Sequence, residues 1–357
     1  MKRLRKIILT VCVVVNLLLI AAMLACAYTA YLPPQDYPYL SYWGLMFPIF
    51  LIANVCTIPV WLIFKWKFTA IPIVGMLLCA GSIRTYIPIN TKSTHPVGSY
   101  KVLSYNVMSF GRGEWKDWES NAILLYLLGS NADVICLQEV QKAIIDNALP
   151  TIQEAYPYYR IEPMPDSFIA LLSKYPIESA TQIEYPAVNN CSYAYEVLIG
   201  KDTLILINNH LESYRLAEED KEDYKSIIEN YKHPSKNHSK SKYLHLTEKL
   251  ARADSIRGIQ VDSVAAYIDR HKDRHIIACG DFNSSPISYT HHKMTENLYD
   301  AFVDNGCGLG ISYNRSGMYF RIDHIFASPK VKTYDTKIDD SINASDHYPI
   351  ISFFTLE

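Results

Sequence analysis

The chain has 357 residues and a formal net charge of −2, from 34 basic and 36 acidic side chains. That length leaves room for more than one unit, and the near-neutral balance excludes a strongly basic protein that coats nucleic acid. The eight cysteines form no CxxC or Cys/His ligand spacing, which excludes a zinc-ribbon organisation, and no internal repeat is present. Charge is divided unevenly: basic residues outnumber acidic ones 8 to 1 before residue 99, leaving 26 against 35 in the remainder.

The first third reads as membrane material. After KRLRK (2–6) comes a charge-free run at 7–32, longer than the roughly 20 residues that span a bilayer. A second run lies at 44–64 and, after KWK, a third at 68–84, so three transmembrane helices are expected in an anchor of residues 1–84. Pro48, Pro59 and Pro72 are compatible with this, because neighbouring helices in a membrane can satisfy freed backbone groups. Lys2, Arg3, Arg5, Lys6, Lys65 and Lys67 put the N-terminus and the second connection in the cytoplasm, whereas the first loop, PPQDYPYLSYW (33–43), has no Lys or Arg. The part after residue 98 is therefore expected outside the cytoplasm, with Tyr37, Tyr39, Tyr42 and Trp43 at the interface and the lipid bilayer as a partner. A cleaved signal peptide, or a lipoprotein box ending at Cys26, are the competing accounts of the first run. Residues 85–98 read as a polar linker.

From residue 99 onward apolar runs alternate with helix-like stretches. Strands are expected at 133–138, 168–172, 193–199, 204–209, 275–280, 319–326 and 331–338, with a terminal strand near 349–356. Helices are expected at 115–130, 141–156 and 288–303. The segment 214–273 opens acidic and then turns basic. Leu246, Leu250, Ile256, Ile259, Val264 and Ile268 favour an amphipathic helix covering a sheet, with a phosphate-contacting arm as the alternative. The domain as a whole, residues 99–357, reads as α/β.

Polar residues stand at the ends of these runs, in SYNVMSF (104–110), CLQEV (136–140), NNHLES (208–213), GDFNSSP (280–286), RIDHIF (321–326) and SDHYP (345–349). Carboxylates buried at strand ends are costly unless paired or bound to metal. Hydrolysis of a phosphoester needs a hard cation on oxygen ligands, a base for water, and neutral donors for the charge growing on phosphorus. Glu139 and Asp346 suit the cation, Asp281 can orient or deprotonate water, and Asn106 and Asn283 donate without adding charge. Singly, each has a plainer reading: Asn106 as a turn, Glu139 as a surface carboxylate, His210 as a strand histidine, Asp323 as a partner of Arg321 or His324. Their joint occurrence in this order favours one site.

In this order the motifs resemble the endonuclease/exonuclease/phosphatase superfamily over roughly residues 99–357. The resemblance implies a four-layer sandwich of two mainly antiparallel sheets flanked by helices, here preceded by an all-α transmembrane region. It places Asn106, Glu139 and Asp346 at a metal, Mg²⁺ first, with Mn²⁺ and Ca²⁺ as alternatives. It places Asp281 and Asn283 at the nucleophilic water and the phosphate, and His347 as a central imidazole paired with Asp323. His210 matches the histidine of the deoxyribonuclease and sphingomyelinase branches, and Asn106, Asn283 and His210 would touch substrate. A one-step displacement without covalent intermediate is expected, on nucleic acid or phospholipid, undecided between them; which histidine protonates the leaving oxygen stays open. No protein partner is indicated, and an inactive tethered binding module is the contrasting reading.

Overall fold

The computed structural model describes residues 2–91, 94–111, 118–187, 190–215, 238–315 and 317–357. Its strands in chain order are β1 (Tyr100–Asn106), β2 (Val134–Val140), β3 (Tyr158–Pro163), β4 (Phe168–Ser173), β5 (Ile177–Gln182), β6 (Cys191–Ile199) and β7 (Asp202–His210). They continue as β8 (His275–Asp281), β9 (Tyr299–Asp300), β10 (Tyr313–Arg315), β11 (Met318–Phe320), β12 (Asp323–Ala327), β13 (Val331–Ile338) and β14 (Ile350–Leu356).

Two six-stranded sheets form, in the orders β13-β14-β1-β2-β4-β3 and β5-β6-β7-β8-β12-β9. Pairing is antiparallel except for β1 with β2 and β7 with β8, which run parallel. The period-2 alternation of strands explains the layers. On β7, Leu204 and Leu206 point between the sheets beside Val134, Cys136 and Ile277, while Ile205 and Ile207 point outward. Because both faces are covered, β7 reads as a continuous apolar run. The outer face of the first sheet packs Leu103, Ile135 and Leu137 against the helices Ala122–Gly129 and Lys142–Ala155. The outer face of the second packs Ile205, Ile276 and Ala278 against Val261, Val264 and Ile268 of the helix His238–Arg270. Each such Val, Leu or Ile side chain contributes about 1.5–3 kcal/mol when buried. Four layers result, as the resemblance implies.

Several expected elements end differently. The run 319–326 is not one strand: β11 pairs with β10 in a separate hairpin, and the chain turns inward at buried Arg321 before β12 joins the second sheet. The stretch 288–303 breaks into the helix Tyr289–Met294, β9, and the helix Ala301–Asn305. Thr295 closes the first helix by donating its hydroxyl to the His291 and His292 carbonyls, and Asp300 caps the second by accepting from Phe302 and Val303. Helix 115–130 shortens to Ala122–Gly129, starting at the Asn121 cap, and residues 112–117 lie outside the described ones. The amphipathic helix in 214–273 is present as His238–Arg270, with Ile259 exposed instead of packed; the charged stretch 216–237 lies outside the described residues.

In the N-terminal region, Arg3–Tyr31 and Pro38–Leu78 are long and apolar enough to cross a membrane. The third expected span, 68–84, is broken: Cys79 (φ −103°, ψ 14°) separates the helix Ala70–Leu78 from Ala80–Tyr86. Together, residues 70–86 rise about 25 Å. The expected linker is docked in its first half. Asn90 donates to the Val303 and Gly306 carbonyls, Gly308 N–H donates to Pro88, and Arg321 donates to the Thr85 carbonyl.

Candidate active site

Strand register brings the polar residues to one end of the sandwich. In the first sheet Asn106 on β1 sits opposite Gln138 on β2, one residue before Glu139. In the second, His210 on β7 lies opposite Asp281 on β8, and Asp323 on β12 lies opposite the same Asp281. Gln138 ties the two sheets together behind the site, donating to Asn208 at 2.6 Å, and Asn208 in turn donates to the Leu137 and Ala170 carbonyls. Glu139 has φ 52° at a register shift between β2 and β4, a bulge that re-aims its side chain.

The amide of Asn106 is the hub. Its Nδ2 donates to Glu139 Oε1 (3.1 Å) and to Asp281 Oδ2 (3.0 Å), while its Oδ1 accepts from Met108 N–H. His210 Nε2 stands 3.7 Å from Glu139 Oε1 and 3.9 Å from Asp281 Oδ2. His347 Nε2 stands 3.6 Å from that same Asp281 oxygen, and its Nδ1 donates to Asp323 Oδ2 at 2.8 Å. Six of the expected residues thus meet around one carboxylate.

The other two stand at the margin. Asn283 Nδ2 donates to the Leu211 carbonyl and its N–H to Asp281 Oδ1, so it braces the loop with φ 50°. The Asp346 carboxylate accepts from Ser345, and its charge acts on His347. Ser345 fastens the SDH turn by donating to the Asn106 carbonyl and accepting from His347 N–H.

Burial disfavours protonated His347, but Asp323 and Asp281 outweigh it and push its pKa up to about 10. Burial raises the Asp281 carboxyl, with Asp323 adding to the effect against His347 and His210. Glu139, Asp281 and Asp323 crowd negative charge into a mostly buried space, and Asp323 Oδ1 has no donor among the described residues. Such a set fits a hard divalent cation, with Glu139 as the natural oxygen ligand and Asn106 as the donor it shares with Asp281. The grouping of Asp281, Asp323 and His347 is close enough to ligate too, though the His347–Asp323 hydrogen bond already occupies that imidazole nitrogen.

Some supports escaped the sequence reading. The Ser312 hydroxyl accepts from Ile322 and Asp323 N–H and so sets the start of β12. Behind His210, Glu212 is held by Gln260, which accepts its N–H, and by Arg257, which donates to its carbonyl. His324 Nε2 donates to the Ser284 carbonyl, and His291 donates to Asp300, beneath the Asp281 loop. The doubled Asn208–Asn209 in NNHLES was a legible signal, since two amides ending an apolar strand need buried partners. An isolated serine such as Ser312 gave none.

Two sheets back to back, with a histidine–aspartate pair and clustered carboxylates at one end, define a phosphoester hydrolase. The chain belongs to the Endonuclease/Exonuclease/phosphatase family, whose sequence profile matches residues 103–347. Residues 5–86 match a domain of unknown function, DUF8431. A curated relative, 2',5'-phosphodiesterase 12 of Rattus norvegicus, is 24% identical over 219 residues, covering 55% of this chain but only 34% of its own length. The chain thus spans about a third of that relative. Among solved structures, the human Nocturnin catalytic domain with bound sulfate superposes with a TM-score of 0.53 at 16% identity, covering 75% of this chain and 96% of that one. A humanized D. rerio TDP2 gives 0.50 at 17%, covering 72% and 99%. These likenesses bear on the fold.

Proposed function

We propose that this protein is a membrane-anchored, divalent-metal-dependent phosphodiesterase that cleaves its substrate with water in a single displacement. The observation that carries this reading is the convergence of Asn106, His210 and His347 on one Asp281 oxygen, with Glu139 sharing the same amide donor. A divalent cation, Mg²⁺ in the first instance, would supply charge neutralisation and polarisation of the phosphoryl oxygens. Asp281 orients the water and takes its proton. His347, kept protonated and oriented by Asp323, donates to a phosphoryl or leaving oxygen, and His210 donates from the other side. Among the described residues, no Ser, Cys or Lys occupies a nucleophile's position in the cluster, which favours direct attack by water.

Membrane attachment rests on the outward faces of the N-terminal helices. Leu17, Leu18, Ile52, Leu62, Ile63 and Phe64 are all exposed, a patch that water would not tolerate on an isolated protein. Tyr86 packs beside Phe47, at the opposite end of the helix Phe47–Lys65 from Lys65. That return supports three crossings, a cytoplasmic N-terminus and an extracytoplasmic hydrolase.

The test uses the full chain in detergent with bis(p-nitrophenyl) phosphate. Turnover should require Mg²⁺, stop with EDTA, and be lost in Asp281→Ala. Equal turnover in that variant would remove the assignment.

A further inference from the structure

The segments that continue from His210 and from Asp281 are both gripped by the loop joining the first two apolar helices. Ser41 Oγ donates to buried Asp254 at 2.7 Å. Asp254 also accepts from Tyr214 and Arg257, and Arg257 holds the Glu212 carbonyl, two residues beyond His210. On the other side, Ile287 of the Asp281 loop is buried among Met23, Phe47 and Leu51. Gly44 lies so close that a Cβ there would come within 1.9 Å of the Ile287 carbonyl oxygen. Gln35 donates to Asp262, the Pro34 carbonyl accepts from Ser255, and the Tyr31 ring packs tilted against His292 with centroids 4.4 Å apart.

The same loop bears the aromatic side chains of a membrane interface. Tyr28, Tyr31, Tyr37, Tyr39 and Trp43 are exposed where the exposed apolar helix faces end. On the anchoring reading, the membrane–water boundary passes beside Asp254 and Ile287. Ile287 is four residue steps from Asn283, at most about 14 Å of chain. Headgroups extend about 5–8 Å beyond the hydrocarbon on each side. The rim of the site is thus within reach of headgroup phosphates.

Charge points the same way. A site for a long polyanion carries a basic track, whereas the part after residue 98 has 26 basic and 35 acidic residues. A single phosphodiester presented by a lipid does not need such a track.

We infer that the N-terminal domain clamps the catalytic loops at the bilayer surface and that the substrate is the phosphodiester of a membrane lipid headgroup. This rests on the hydrolase and anchoring readings above. In the reaction, the water oxygen bonds to phosphorus as one ester P–O bond breaks. The departing oxygen gains a proton, the second water proton goes to solvent by way of the site, and a phosphomonoester and an alcohol leave.

The experiment reconstitutes the full chain, with Mg²⁺, into vesicles containing phosphatidylethanolamine, phosphatidylglycerol and sphingomyelin. Flotation first checks that the protein stays with the vesicles. Lipid cleavage is compared with that of glycerophosphoethanolamine, supercoiled plasmid and bis(p-nitrophenyl) phosphate. Confinement to the surface should favour a lipid over its deacylated ester by about a hundredfold, and Trp43→Ser, at an exposed interfacial side chain, should lower that preference while bis(p-nitrophenyl) phosphate is still cleaved. Equal rates on lipid and deacylated ester, or plasmid nicking with intact lipid, would overturn the inference and leave the hydrolase reading standing. Protein that does not float refutes anchoring, and protein that cleaves none of the four refutes the hydrolase itself; each takes the inference down with it.

Discussion

Replacing Asp323 by Asn tests the site at its most sharply defined bond. The side chain keeps its size and its place opposite Asp281 on the β8–β12 ladder, so the strands need not move. What goes is the charge facing His347 Nδ1 at 2.8 Å. A hydrogen bond to a charged group is worth about 1.5–3 kcal/mol. If that interaction serves only the transition state, its loss lowers kcat by roughly 10- to 150-fold. The imidazolium also loses the largest of the three carboxylate influences that oppose its burial, leaving Asp281, at 3.6 Å, and Asp346. Steady-state hydrolysis of bis(p-nitrophenyl) phosphate by the full chain at saturating Mg²⁺ separates the effects, because KM should change little. A kcat within about threefold of wild type would refute the role given to this pair, as would a rise in KM at constant kcat.

Glu139→Gln should raise the Mg²⁺ concentration for half-maximal activity by about tenfold or more, as loss of roughly 1.4 kcal/mol of ion binding requires; an unchanged titration would remove Glu139 from the metal. Asp281→Ala should lower kcat by about 10²- to 10⁴-fold, the range for a positioned base, with circular dichroism showing an intact fold. Gly280→Ala should prevent folding: φ is +135° and a Cβ would sit 2.0 Å from the Asn209 carbonyl oxygen across the parallel β7–β8 pair, so a monodisperse variant with native Tm would contradict the register. Burial works to raise the Asp300 carboxyl, yet donors from His291 and His324 hold it well below the usual range. A depressed folded value stabilises above the unfolded pKa near 3.9 and is lost as pH falls through the folded value. The Tm gap between wild type and Asp300→Asn, about 3–5 kcal/mol of stability near neutrality for a broken buried pair, should therefore close as pH drops below about 4. A gap that stays constant down to strong acid would count against it.

The parts of this protein legible in its sequence are those where one residue type at one place satisfies a chemical demand. Asn106, Glu139, His210, Asp281, Asp323 and His347 each end or begin an apolar run; strand register brings Asn106, His210, Asp281 and Asp323 to one end, while the bulge aims Glu139 and the Ser345 turn delivers His347. Layering was legible for a similar reason, since doubly covered strands read as unbroken apolar runs. Breaks were not. The division of 319–326 depends on Arg321 finding the Leu309 and Thr85 carbonyls, partners 12 and 236 residues away. The break after Met294 depends on a threonine hydroxyl returning to its own helix, which a period-3.6 pattern does not register. Nor does composition disclose a bulge such as that at Glu139, because the strained φ belongs to the pairing with β4 and not to the residue type.

The helix His238–Arg270 shows how the same blindness hid a connection. Read by its apolar positions, it is a cover for the second sheet, and Val261, Val264 and Ile268 do that work. Yet Asp254, Arg257 and Gln260 are also buried, on a stretch of helix whose neighbours are the chain after His210 and the loop carrying Ser41. A buried guanidinium is tolerated only with its partners in place; here Asp254, the Glu212 carbonyl and the Tyr214 ring hold it, and Ser41 of the N-terminal domain donates to that same Asp254. Removing either domain would leave part of that network unpaired. An assay on residues 99–357 alone therefore tests a damaged site: Ser41 would no longer satisfy Asp254, and Ile287 would lose its apolar surroundings. Activity of that fragment equal to the full chain's would mean that the contact merely joins the domains and leaves the catalytic loops to hold themselves.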